Sequence, residues 1–189
     1  MTTAKPEIEI QNKLLEKTCA EFLRAARLIE KLDDEIYTAA SESSGSLGAH
    51  FRHNIDFAEN FLKGLRTRKI DYAARERDPQ IEQNRQYAVE RLEFLIETLR
   101  SLPREFLETK VSARSEVDEN LWHDSSAARE LEFLYSHTVH HHALVAEKLK
   151  TLGIKLFADF GVAPSTLKFW AEREKSDQSR LPVLNGSQL

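Results

Sequence analysis

The sequence predicts an all-α protein, a four-helix bundle with a short irregular or hairpin insertion before the last long helix. Two observations carry this. Four long segments place apolar residues at three- and four-residue steps, the period of a helix buried on one side. The segments between them are rich in serine, glycine, proline or charge, which stop helices and let the long segments fold back on one another.

The first segment spans about Ile8 to Ala40, with Leu15, Cys19, Phe22, Ala26, Ile29, Leu32 and Ile36 on one stripe. "SESSGSLG" breaks it. The second runs from about Ser46 to Arg68, with Leu47, Phe51, Ala58, Phe61, Leu62 and Leu65 as its apolar side. "KIDYAARERDP" reads as a polar connection, ending in Asp78 as an N-cap and Pro79 at the first helical position. The third segment carries Val89, Leu92, Leu95, Ile96, Leu99 and Leu102, and Pro103 stops it. Residues 104–123 lack helical period and suit a short hairpin or extended cover. Asp124 or Ser125 is the expected cap of the fourth helix, which ends near Leu152 with Gly153 at its C-terminal turn. "IKLFADFGVAPSTLKFW" reads as loop with a short helix. Residues 1–175 are expected to form one domain and 176–189 a flexible tail.

Composition narrows the function classes. Hydrophobic residues make up 41% and charged residues 31% of 189, enough for one core and a solvated surface. The net charge is −4 and no basic block stands out, so no nucleic-acid partner is expected. No apolar run has membrane-spanning length, so no membrane partner is expected. The N-terminal stretch has no signal-like apolar run, and the single Cys19 cannot form an internal disulfide. A cytoplasmic location follows as the expectation. Cys19 sits on the apolar stripe of the first helix, which suits packing rather than chemistry.

The chemistry lies in the histidines. "SHTVHHHALV" places His137, His140, His141 and His142 within six positions of the fourth helix. At 100° per residue, the apolar residues of that helix centre an arc on which His141 and His137 fall. His140 falls on one rim and His142 on the opposite rim. Two imidazoles four residues apart on a buried face present nitrogens to one point, which suits a metal ion. They equally suit two core histidines bonded to carbonyls or carboxylates. In a bundle, further ligands come from a facing helix. The second helix offers His50 and His53, and its wheel favours His50. His123 falls in the irregular segment and reads as an exposed loop residue.

"SLGAHFRHNIDFAENFL" followed by "SHTVHHHALV" resembles the DinB-like superfamily over about residues 10–155. The resemblance implies a four-helix bundle with one histidine on the second helix and an H-x-x-x-H pair on the fourth, together holding a divalent metal. Matching Ser46 and Leu47 to the start of the second-helix motif implies that His53 is the ligand, with His137 and His141 as the pair. His50 then becomes a reserve ligand or a partner behind the ligands. Asp56 or Glu59 matches an acidic position that could orient a ligand histidine, although acids on a helix are more often solvated charges. Where many relatives carry R-G-Q after the pair, this chain has His142, Ala143 and Leu144, so substrate contacts made there elsewhere do not carry over. "DYAARERDP" and "DFGVAPST" look like features of one bacterial subgroup.

The expected cofactor is a divalent ion, zinc or nickel foremost, with iron or manganese also accommodated. The resemblance implies an enzyme that activates a thiol or water, of thiol S-transferase or hydrolase type. Its partner would be a small molecule such as a low-molecular-weight thiol. The alternative is a stress-related bundle that binds metal or a small molecule without turnover. A structural bundle that forms a homodimer is a third reading.

Overall fold

The computed structural model describes residues 4–40 and 45–179, so residues 41–44 of the expected serine-glycine break and residues 180–189 of the expected tail lie outside the described residues. Within them the chain is mostly helical. Four long helices are α1 (Ala4–Ile29), α3 (Leu47–Thr67), α5 (Arg85–Arg100) and α6 (Ala127–Thr151). Two short helices, α2 (Asp34–Thr38) and α4 (Pro79–Gln83), lie between them, and α7 (Pro164–Ser179) follows. A small sheet departs from the all-α expectation. It consists of β1 (Lys69–Ile70), β2 (Lys110–Arg114) and β3 (Trp122–Ser126), with a 3-10 turn over Arg104–Glu108 before β2.

Helix α1 packs on α5 and α6, and α3 packs on the same two from the other side. The core between them contains Phe22, Ile29, Phe51, Ile55, Phe61, Leu92, Leu99, Leu131 and Leu149, all essentially inaccessible. Each such side chain contributes about 1.5–3 kcal/mol by leaving water. Cys19 belongs to this core, and burial pushes its thiol up to about 11.

The first helix is shorter than its periodicity suggests. After Ile29 the chain tightens, with Lys31 N–H donating to Leu28 and Leu32 N–H to Ile29. Asp33 is extended and opens α2. The exposed carbonyl end of α1 is satisfied from elsewhere: Arg85 Nη1 donates to the carbonyls of Ile29 and Glu30, both at 3.1 Å, and its Nε to Asp34 at 2.9 Å. The third helical segment is also divided. Asp78 caps α4 as expected, with Pro79 first, but extended Asn84 ends α4 and starts α5 by accepting from Tyr87 N–H at 3.0 Å.

The region before α6 is a hairpin, β2 antiparallel to β3 with Val111 opposite Ser125. β1 joins β2 in parallel, Ile70 opposite Ala113. Two residues are too few to show a strand period, so the sequence concealed β1. The strand continues through Asp124 and Ser125, which therefore cap nothing. Ser126 caps α6, accepting from Arg129 N–H at 3.2 Å. α6 ends where Gly153 turns left-handed at φ 74°, and Ile154 N–H closes on the Leu149 carbonyl. The loop after it returns along α6, and α7 is a full helix that reaches four residues into the expected tail.

The junction of α3 and β1 is tight. Arg68 takes a left-handed conformation (φ 59°) and donates to the Gly64 carbonyl, so the chain reverses along the last turn of α3. A Cβ at Gly64 would stand 2.3 Å from Ile70 Cγ1 and 2.8 Å from Ile70 Cα. This reversal sends residues 71–78 across the face of α3 that carries His53.

Candidate metal centre

Ser46 fixes the start of α3: its Oγ accepts from Ala49 N–H at 2.9 Å and donates to Glu82 at 3.1 Å. His50 and His53 follow, three residues apart and so on neighbouring positions of the helix surface. α6 faces α3 and brings His137 and His141 opposite them. One nitrogen from each of His53, His137 and His141 lies within 4.8 Å of the others. His53 Nε2 and His137 Nε2 are 2.8 Å apart. All three rings are half-buried. A wall of aromatic rings holds them: Phe57 stacks on His137 at 4.1 Å and 8°, and Phe133 and Tyr72 continue the wall. A cavity of about 450 Å³ that includes Tyr72, Phe133, Arg114 and Glu130 in its lining adjoins it.

The electrostatics suit a cation. Burial, reinforced by the neighbouring imidazoles and Arg75, holds His53 and His137 down to about 4; burial and the surrounding histidines hold His141 down to about 3. All three are therefore neutral near pH 7, the state in which an imidazole offers its lone pair to a metal. The donor set contains no carboxylate, which suits a borderline cation such as zinc or nickel better than a hard one. These residues fit the group that the sequence implies.

His50 stands behind the group. Its Nδ1 is 3.1 Å from His141 Nδ1, and a hydrogen bond donated there by His141 would leave the His141 Nε2 lone pair free for a cation. The structure thus brings together His53, His137 and His141, with His50 against His141. His140 is exposed, and His123 is exposed on β3 rather than in a loop.

Three expectations need correction. His142 is not on a rim but fully buried, with Nδ1 3.1 Å from Glu21 and its ring stacked on Phe160 at 4.7 Å. The wheel of α6 could not show this, because the returning loop covers that side. Gly161 (φ 71°) lies so close to α6 that a Cβ would meet Ala143 N at 2.5 Å. Leu144, one of the apolar residues that define the arc of that wheel, is 41% exposed. Asp56 and Glu59 are neither solvated nor in contact with a histidine. Asp56 is buried, accepts from Arg77 N–H at 3.4 Å, and burial raises its carboxyl. Glu59 pairs with Arg91.

The sequence reading missed the strap over residues 71–78. Tyr72 is buried, stacks on Phe57 at 5.0 Å and donates to Glu130 at 3.0 Å. Arg75 Nη1 donates to His53 Nδ1 at 2.5 Å. The strap is held by Asp71 to Arg114 at 2.7 Å and by Glu76 to Lys63. A tyrosine inside an otherwise polar connection was the available signal.

A mostly helical fold with a histidine cluster shared by its second and last long helices defines a class, and comparison with known proteins gives it a family. Residues 15–145 match the DinB superfamily, and the chain belongs to it. Its fold is similar to that of a DinB-like protein, YjoA, from Bacillus subtilis. That similarity has a TM-score of 0.55 at 14% identity, and covers 77% of this chain and 95% of that one. No curated protein sequence matches the chain. No helix among the described residues is long and apolar enough to cross a membrane.

Proposed function

We propose that this DinB-superfamily chain is a four-helix bundle that holds one divalent ion on His53, His137 and His141 and uses it to activate a thiol or a water molecule. The observation that supports it is the convergence of three neutral imidazole nitrogens within 4.8 Å, from two helices and without a carboxylate among them. Three protein ligands leave a coordination position open, as catalytic zinc sites do. When bound, the ion supplies charge stabilisation for a thiolate or hydroxide at neutral pH. The chain's own residues orient and shield it. His50 fixes the His141 tautomer, Phe57 and Phe133 hold His137 in place, and Tyr72 closes the aromatic wall.

Elemental analysis of protein purified without a metal-affinity tag tests the reading. About one zinc, nickel, iron or manganese per chain is expected after loading. Titration against a competing chelator should show binding lost in His53→Ala, His137→Ala and His141→Ala and nearly intact in His140→Ala. His50→Ala should weaken it about 10–100-fold, as loss of a supporting partner does. A chain that takes up none of these ions defeats the proposal. A loaded chain inert toward thiols with electrophiles, and toward hydrolysable esters, would be a binding protein without turnover.

A further inference from the structure

Arg75 has no carboxylate partner among the described residues. In its own strap Asp71 pairs with Arg114 and Glu76 with Lys63. Its guanidinium faces the Phe57 ring at 5.9 Å, and its Nε is buried without a hydrogen-bond partner. The acceptor it does have is His53 Nδ1, at 2.5 Å. A guanidinium only donates, so Nδ1 carries the lone pair and Nε2 carries the hydrogen, directed at His137 Nε2 2.8 Å away.

A cation on His53 Nε2 requires the other tautomer, with the lone pair on Nε2 and the hydrogen on Nδ1. Two N–H groups would then face each other across the Arg75 contact. The Arg75 bond and metal ligation through His53 Nε2 therefore exclude one another. A half-buried guanidinium deprived of its acceptor is costly until it finds another. The strap holds it beside the centre, and a carboxylate satisfies its paired donors best.

Resting on the metal reading above, we propose that Arg75 is the substrate-recognition residue of this centre: released from His53 on loading, it binds the carboxylate of a small thiol whose sulfur meets the ion. The competing acceptor inside the protein is Asp56, whose Oδ2 is buried without a partner.

The test uses the full chain loaded with cobalt(II), titrated with 3-mercaptopropionate and with 2-mercaptoethanol. Sulfur binding is read from thiolate-to-cobalt absorption in the wild type, Arg75→Gln and Arg75→Lys. The ratio of the two affinities should favour the carboxylate thiol, and that preference should fall about tenfold in Arg75→Gln and less in Arg75→Lys. Cobalt itself should bind Arg75→Gln at least as tightly as the wild type, because a competitor for His53 is gone. An equal preference in wild type and Arg75→Gln overturns the inference while leaving the metal reading intact, and means that Arg75 turns to Asp56 or water. Failure of the wild type to bind cobalt removes the metal reading and the inference together. Arg75→Lys, which keeps the charge, guards against a fold defect in Arg75→Gln.

Discussion

Replacing Gly64 with alanine tests whether the junction of α3 and β1 anchors the strap over the histidines. In a helix the change alone is favourable by about 1 kcal/mol. Here the new methyl would stand 2.3 Å from Ile70 Cγ1, 2.8 Å from Ile70 Cα and 2.9 Å from the Lys69 carbonyl oxygen. Carbon atoms in contact prefer about 3.5–4.0 Å. Two of these three neighbours are backbone atoms, so rotation of the Ile70 side chain cannot relieve the overlap. Overpacking of this kind costs about 1–3 kcal/mol, and shifting fully buried Ile70 forfeits part of its burial. The net expectation is a loss of about 1–2 kcal/mol, or about 2–8 °C in midpoint for a chain of this size. Urea and thermal unfolding measure it. Chelator-competition titration should also show altered metal affinity, because Tyr72 and Arg75 follow Ile70 directly. An unchanged or higher unfolding midpoint would refute the reasoning, since β1 would then yield freely.

The metal-free protein should lose stability as pH falls from about 6.5 toward about 4. Over that window the unfolded chain takes up protons that His53, His137 and His141, held down to about 4, about 4 and about 3, refuse when folded. Buried Asp56, raised by desolvation, works in the opposite sense at the acidic end. Urea midpoints at several pH values check this, and a flat profile counts against neutral buried histidines. Cys19, with its thiol pushed up to about 11, should resist alkylation at pH 8 until the chain is unfolded, and Cys19→Ala should keep its metal; rapid labelling of the native protein would contradict its core placement. His142→Ala should cost about 2–4 kcal/mol by opening a cavity and removing the partner of Glu21 Oε2, yet leave metal content unchanged. Loss of the metal in a folded His142→Ala protein would bring that ring into the centre.

The long helices were legible because each repeats its apolar residues at the helical period; Ser46 signals the start of α3 locally, and Asp78 that of the short α4. The histidines that converge were legible for a related reason: spacing put His137 and His141 on one face, and the family motif chose His53 over His50. The rest depends on contacts between distant residues. Arg85 terminates α1 from 55 positions away. His142 is buried by a loop that no wheel of α6 contains. β1 is two residues long and gains its identity only from pairing with β2. Arg75 lies among the charges of "ARERD", and nothing in its neighbours distinguishes it until the chain reverses at Arg68.

His53 and His137 are 84 positions apart in the chain. An ion bridging them would close a loop of that length, a constraint worth about 4–5 kcal/mol in the chain-entropy treatment of a cross-link. It would also impose an order in time. A growing polypeptide displays His53 long before α6 exists, so the centre cannot assemble during most of synthesis. Ion capture would thus act as a late clasp, available only to a chain whose last long helix has docked. Premature termination anywhere before His141 would leave a product unable to retain its ion.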